Sequence, residues 1–274
     1  MATTIAGAFD LNAAPDVPQW RIHILRATYL LLIAGLGATV IPELFDHSPT
    51  ARGVIPGVLS GIWLLAFFGL RYPLQMLPLL LFEFAWKWVW MLKYGLPQFA
   101  AGAMPPTWAG DFPAIAFGCV LMPFVIPWKH VYRRLVTGPA DSVADGVTKF
   151  RLRLMRTVYV LLIIPGIWII GKIFVTPVPM DRGVFASMLT ALFLSSFLIV
   201  RNPLKMLPLV LLEFVWKIVW LLAFGLPQWL SGTGSPRLGE DIYMVGTAPI
   251  LFGLLVPWGY FYEHYVRQPA ERWR

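Results

Sequence analysis

The sequence repeats itself at a constant offset that pairs residue 71 with residue 201, and the two copies align without a gap. Residues 71–78 (RYPLQMLP) return as residues 201–208 (RNPLKMLP), and 20 of the 32 positions from 71 to 102 are identical to their partners. A long internal repeat is typical of a duplicated structural unit. We therefore predict a first unit at residues 21–137 and a second unit at residues 150–267.

Each unit contains four long apolar runs separated by short polar stretches. Runs of 17 to 21 residues fit helices that cross the hydrocarbon core, for which about 20 apolar residues are needed. Only 13% of the residues are charged, against about 25% in an average soluble domain. The sequence therefore predicts an all-α integral membrane protein with eight transmembrane helices. The runs are 25–41, 54–70, 74–94 and 112–128, and then 155–171, 184–200, 204–224 and 242–258.

The distribution of lysine and arginine predicts the orientation. Fifteen of these residues fall on the side of the termini and five on the opposite side. Basic residues accumulate on the cytoplasmic side, so we expect both termini in the cytoplasm and the chain in a plasma or bacterial inner membrane. The same placement explains the net charge of +8 without nucleic acid as a partner. The cytoplasmic parts would be residues 1–20, a polar linker at 138–149 and a tail at 268–274.

The even number of spans in each unit predicts the symmetry. Four crossings return the chain to its starting side, so the second unit enters the membrane in the same direction as the first. The two units are then parallel tandem repeats related by a pseudo-two-fold axis along the membrane normal, unlike the inverted repeats of many transporters.

The third run of each unit contains a glutamate and a lysine four residues apart: Glu83 with Lys87, and Glu213 with Lys217. Since a helix rises by about 1.5 Å per residue, all four fall in the middle third of the hydrocarbon core. A central charge costs roughly 2.5 to 3.5 kcal/mol to insert, so it needs a partner or a role. Glutamate four residues before lysine is also the favourable order for an ion pair within one helix. We predict these residues to form an intramembrane charged site.

One helical face of the third run carries both charges. At about 100° per residue, six side chains lie within about 60° of the Glu83 direction, and all six are identical in the second unit. We expect this face to contact protein, and the positions that differ, such as Phe82 and Leu212, to contact lipid. The six are Met76, Leu79, Glu83, Trp86, Lys87 and Trp90.

Aromatic residues and prolines complete the predicted site. Two tryptophans of each unit share the charged face and are expected to line the site: Trp86, Trp90, Trp216 and Trp220. A proline five residues before each glutamate removes a backbone hydrogen bond, so we expect Pro78 and Pro208 to kink the helices.

Two interpretations of the charged site remain open. In the functional one, Glu83 and Glu213 bind protons or cations, the lysines balance their charge, and the tryptophans shape a cavity for a substrate or lipid headgroup. In the structural one, the charges clamp the units together, for example as Glu83 with Lys217 and Glu213 with Lys87.

Neither unit contains a recognisable catalytic triad, P-loop or dinucleotide fingerprint. The one cysteine, Cys119, excludes an intrachain disulfide. Glu43, Asp46 and His47 form a loose cluster that the second unit does not repeat, so we predict no metal and no cofactor.

Two functional hypotheses from different classes follow. The first is a transporter or channel-like protein for a small solute or ion. The second is a non-catalytic scaffold or accessory subunit of a membrane complex, or a lipid-binding protein, with the bilayer and a membrane protein or second copy as partners. A membrane enzyme ranks third, since no His/Asp/Glu constellation is present at the membrane interface.

Overall fold

The computed structural model describes residues 17–45, 53–108, 110–144, 146–175, 180–234, 236 and 238–271. Residues 1–16 of the predicted N-terminal segment and residues 272–274 of the predicted tail lie outside this part of the chain. All regular secondary structure of the described residues is helical, which confirms the predicted all-α class.

The described part of the first unit contains four longer α-helices and two short ones. They are α1 (Gln19–Leu44), α2 (Val54–Arg71), α3 (Leu77–Trp90), α4 (Leu96–Ala100), α5 (Asp111–Val125) and α6 (Trp128–Val131). A π-helical turn, Met91–Gly95, joins α3 to α4 without a break, and a second one, Tyr132–Thr137, extends α6.

The second unit begins with two long helices. Its helices are α7 (Lys149–Val175), α8 (Met180–Arg201), α9 (Leu207–Trp220), α10 (Leu226–Ser231), α11 (Leu238–Asp241), α12 (Ala248–Leu255) and α13 (Trp258–Phe261). The π-helical turns Leu221–Gly225 and Tyr262–Arg267 are the repeat equivalents of the two turns in the first unit, and a further one, Ile242–Gly246, joins α11 to α12.

Six helices of the described residues are long and apolar enough to cross a membrane, so the chain has the character of a membrane protein. A seventh crossing is added if α5 and the segment Trp128–Thr137, bent by 71° from each other, form one span. The bend follows from Pro127, which cannot donate the hydrogen bond that would continue α5. The six are Gln19–Leu44, Val54–Arg71, Lys149–Val175, Gly183–Arg201, Leu207–Ser231 and Leu238–Leu255.

The continuous helical stretch from α3 to α4 is absent from those six. Besides Glu83 and Lys87 it contains a third charge, Lys93, where the second unit has Ala223. This stretch therefore has three charged residues, whereas Leu207–Ser231 has two.

The two units contact each other through their second and third helices. α2 packs along α9 and α3 packs along α8, so equivalent helices form equivalent contacts. Within each unit, α1 packs on α2 and α7 packs on α8, while α5 and α12 cover α3 and α9 respectively. The charged helices α3 and α9 therefore lie at the centre of the described structure.

The prediction that Pro78 and Pro208 kink the charged helices is wrong. α3 begins at Leu77 and α9 at Leu207, so Pro78 and Pro208 occupy the first helical turn. A proline there loses no intrahelical hydrogen bond, because the first N–H groups of a helix have no acceptor within it. The carbonyl of Leu74, which lies four residues before Pro78, accepts a hydrogen bond from Arg134 Nη1 at 2.6 Å.

Each charged helix is followed by a Gly-Leu-Pro sequence, which is typical of a helix end, yet the helical backbone continues through it. Gly95 and Gly225 keep helical backbone angles, and α4 and α10 follow directly. The π-helical turns explain the difference, because their i→i+5 hydrogen bonds locally replace the ladder that Pro97 and Pro227 cannot join.

Candidate functional site

The charged residues lie on helices whose sequence favours continuous helix. α3 and α9 are rich in leucine, contain no glycine, and have their one proline in the first turn. A spacing of four residues places each glutamate one turn before its lysine on the same face. The sequence therefore positions the two side chains for contact within one helix.

In the first unit, the carboxylate of Glu83 is fully buried, with 0% of the side chain exposed. Its Oε2 accepts a hydrogen bond from Lys87 Nζ, and its Oε1 accepts one from Trp86 Nε1 at 3.1 Å. The aliphatic part of Lys87 packs on Gly118 of α5, where a Cβ would lie 2.9 Å from its Cδ. Both carboxylate oxygens are thus bonded to donors from the same helix.

In the second unit, the lysine is the more enclosed member. Lys217 Nζ donates to Glu213 Oε2 and, at 3.2 Å, to the Glu213 carbonyl oxygen. It also lies 4.3 Å from the ring centroid of Trp216 and 4.5 Å from that of Phe252, a cation–π arrangement. Glu213 is 13% exposed, and the buried Trp216 Nε1 has no hydrogen-bond partner.

These contacts overturn the cross-unit pairing that was given as an example of the structural interpretation. Pairing of Glu83 with Lys217, and of Glu213 with Lys87, is wrong, since each glutamate pairs with the lysine of its own helix. The favourable Glu-to-Lys order at four residues explains the outcome, because the pair forms without any dependence on how the units meet.

The four predicted tryptophans are all buried, with 0% to 6% of each residue exposed. Trp216 and Trp220 pack across the contact between the units against two glycines of α2. An added Cβ at Gly61 would lie 2.9 Å from Trp216 Cβ, and one at Gly57 would lie 3.1 Å from Trp220 Cβ. Glycine allows this close approach of two helices, as in small-residue contacts within membranes.

Two cavities of the described residues lie away from the Glu-Lys pairs. One, of about 560 Å³, is lined by Gly239, Glu240, Tyr243 and Met244. The other holds about 10 Å³, the space of a single water, and is lined by Leu77, Pro78, Val131, Arg134, Leu135 and Lys205. Of the predicted site residues, Pro78 alone contributes to either lining.

Two acidic residues that the sequence did not single out bind the turns that precede the charged helices. Asp141 Oδ2 accepts hydrogen bonds from the backbone N–H groups of Leu204 and Lys205, at 2.7 and 3.0 Å. Glu271 accepts the equivalent bonds from Leu74 and Gln75, at 2.9 and 3.2 Å. Each carboxylate follows one unit and binds the other, so the two units exchange these contacts.

The surrounding contacts are equivalent as well. Arg26 donates to the carbonyl oxygens of Leu70 and Glu271, and Arg156 donates to those of Val200 and Asp141. We call residues 138–141 the linker strap and residues 268–271 the C-terminal strap. Their sequences, Gly-Pro-Ala-Asp and Gln-Pro-Ala-Glu, are related by the same offset as the units, a signal that extends the repeat beyond residue 267.

The straps differ in the charge beside each carboxylate. Lys205 Nζ lies 3.4 Å from Asp141 Oδ1, whereas the equivalent residue in the first unit is the neutral Gln75. Burial raises the pKa of the Glu271 carboxyl from 4.5 to about 7, although its backbone hydrogen bonds and the charges of Arg134 and Arg26 act in the opposite direction. Only 5% of Glu271 is exposed.

No protein-family model, curated protein or solved structure matches this chain. The described residues contain no group of three or more His, Cys, Asp or Glu side chains placed to hold a metal ion. Of the loose cluster considered above, Asp46 and His47 lie outside the described residues.

Proposed function

We propose that this chain is a non-catalytic scaffold or accessory subunit of a plasma or bacterial inner membrane, with eight membrane-crossing helices in two parallel repeats. The stretch from α3 to α4 and the bent pair of α5 and Trp128–Thr137 complete the six spans to eight. A pseudo-two-fold axis along the membrane normal relates residues 21–137 to 150–267, and both termini lie in the cytoplasm.

One observation carries the proposed function: the Glu83 carboxylate is fully buried and both of its oxygens are bonded within its own helix. A proton or cation carrier needs a carboxylate that exchanges its partner with the aqueous phase. The Glu83 carboxylate instead accepts hydrogen bonds from Lys87 and Trp86, an arrangement that fixes the geometry of the helix. The tryptophans of the second unit, expected to shape a cavity, instead fill the contact with α2.

The partner surface of the proposed scaffold is the exposed face of α7. In the apolar 18-residue segment of α7, only 6% of the segment is buried within the chain. The corresponding share for the equivalent helix α1 is 39%. Ile164 and Trp168, one turn apart on α7, are each 63% exposed. A helix that its own chain leaves so uncovered offers a large surface to another membrane helix.

A photo-crosslinking experiment in native membranes tests this surface. A photoreactive amino acid at position 164 or 168 is expected to give one discrete protein adduct. The equivalent positions on α1, Ala34 and Ala38, are the matched controls and are expected to give none. Equal lipid adducts from all four positions would contradict the scaffold.

Transport is the second candidate, because the Glu213 side chain is 13% exposed while Glu83 is not exposed at all. The purified chain in proteoliposomes with a pH gradient would decide between them. The scaffold predicts proton flux equal to that of protein-free liposomes. Flux above this level that is lost in the double variant Glu83→Gln, Glu213→Gln would establish transport instead.

A further inference from the structure

We propose that the segment Trp128–Thr137 is a binding site for the headgroups of anionic phospholipids, and that its repeat equivalent, residues 258–267, is not. We call the first the basic segment and the second the neutral segment. The proposed orientation places the basic segment at the cytoplasmic leaflet. The lipid chemistry itself depends neither on that orientation nor on the scaffold role.

The basic segment turns away from the direction of α5. The two are bent by 71° from each other, so a span along α5 continues into a segment closer to the membrane plane than to the membrane normal. Trp128 fixes this bend, because its Nε1 donates across it to the Pro123 carbonyl oxygen at 2.8 Å. Its ring also packs edge-on against Phe84 of α3. A short helix in this direction, with an aromatic residue at its start, is typical of the membrane interface.

The side chains of the basic segment form three stripes, since residues four apart share a helix face. Val131 and Leu135 are buried against the protein. Lys129 and Arg133 are exposed and form a basic stripe. The third stripe is apolar and aromatic, with 41%, 58% and 46% exposure at Trp128, Tyr132 and Val136. A basic stripe and an aromatic stripe therefore lie side by side on the surface that the protein leaves open.

The two exposed stripes match the two parts of a phospholipid. The aromatic stripe fits the boundary between headgroups and acyl chains, and the basic stripe carries positive charge at the level of the phosphates. Lys129 and Arg133 repel each other as like charges one turn apart, so a bound anion stabilises both. The guanidinium can also bind two phosphate oxygens at once. The complementary partner is therefore a lipid whose headgroup has a net negative charge, rather than a zwitterionic one.

The neutral segment has the same local backbone and the same aromatic stripe. Ile126 and Val256 have ψ angles of 124° and 121°, and the prolines that follow them share a φ of −77°. The exposed fractions along the stripe are 42%, 55% and 39%, at Trp258, Tyr262 and Val266. Both segments thus present the same apolar surface.

The charge of the two segments differs. Gly259 and Glu263 occupy the positions of Lys129 and Arg133. The exposed Glu263 carboxylate accepts a hydrogen bond from Arg267 of the same segment at 3.0 Å. The neutral segment therefore keeps the interfacial shape without the basic stripe, and it serves as a matched control for charge.

Photo-crosslinking to lipids tests the proposal. The full-length protein, with a photoreactive amino acid at position 136 or 266, is placed in nanodiscs of phosphatidylcholine and phosphatidylglycerol in equal amounts. Mass spectrometry measures the share of phosphatidylglycerol among the lipid adducts, which we expect to be larger at position 136. Equal shares would overturn the proposal, because the aromatic stripe alone would explain them. A protein adduct in place of lipid adducts at position 136 in native membranes would overturn it as well.

Exchange of the charges between the segments provides the control. Lys129→Gly with Arg133→Glu is expected to lower the phosphatidylglycerol share at position 136 to that at position 266. Gly259→Lys with Glu263→Arg is expected to raise the share at position 266, since a Cβ at Gly259 meets nothing within 4 Å. All four positions are exposed, so we expect both variants to fold. An unchanged share at position 136 in the first variant would refute the role of the basic stripe, whatever the outcome of the scaffold test on α7.

Discussion

The two Glu-Lys pairs have nearly the same sequence but bury opposite members. In the first unit the glutamate is 0% exposed and the lysine 12%, whereas in the second the glutamate is 13% exposed and the lysine 9%. The difference comes from the neighbouring helix. Phe252 of α12 covers the Lys217 ammonium, and the equivalent residue in α5 is Met122.

The comparison teaches that a repeated motif fixes the pairing but not the environment. The spacing of four residues forms the ion pair in both units, because it depends on one helix alone. The packing around the pair then decides which of the two charges would remain buried without a counter-charge if its partner were removed. Substitutions at equivalent positions should therefore have unequal effects.

The largest difference is expected from removing each lysine. Lys87→Met leaves the fully buried Glu83 carboxylate without its counter-charge, which should cost about 3–5 kcal/mol of stability. Lys217→Met leaves Glu213, which is partly exposed, and should cost less. Chemical unfolding of the two variants in detergent micelles measures the difference, and equal losses would contradict the asymmetry.

A smaller difference is expected from the tryptophans that follow the glutamates. Trp86→Phe removes the N–H group that binds Glu83 Oε1, and a hydrogen bond to a charged group contributes about 1.5–3 kcal/mol. Trp216→Phe removes an N–H group that has no partner. Both variants lose the same volume and keep an aromatic face toward the neighbouring lysine, so the difference between their unfolding free energies is expected to come mainly from the hydrogen bond. A larger loss for Trp216→Phe would refute this account of the two sites.

Much of the fold was predictable because it follows from local patterns. The apolar runs predicted an all-helical fold, and most of the identical face of the third run is buried. Its differing positions were predicted less well. Phe82 and Leu212 differ between the units, yet each is 0% exposed, since α3 and α9 are surrounded by protein on more than one side.

The straps could not be predicted from helix patterns, because the backbone N–H groups in the turn before each charged helix are bound by whichever acceptor the fold brings to them. Asp141 is 63 residues from Leu204 in the sequence, and Glu271 is 197 residues from Leu74. The pattern Pro-Ala-Asp/Glu, repeated at the offset of the two units, was the available signal. It falls at the edge of the aligned units, where the shared sequence is short.

The smallest expected effect concerns the helix contact between the units. α2 meets α9 through Gly57 and Gly61, whereas α8 presents Ser187 and Ala191 at the equivalent positions. Gly61→Ala places a Cβ 3.2 Å from the Trp216 Cα, a backbone atom that cannot move alone, and should cost about 1–3 kcal/mol of unfolding free energy.

Gly35→Ala in α1 is the matched control for this substitution. A Cβ there meets nothing within 4 Å, so only the gain in helix propensity remains, and the variant should unfold at equal or higher denaturant. The first unit would then depend on glycine at a contact where the second tolerates larger side chains. Equal denaturant midpoints of unfolding for Gly61→Ala and Gly35→Ala would contradict this account. They would mean that the α2–α9 contact accommodates an added methyl group without loss of stability.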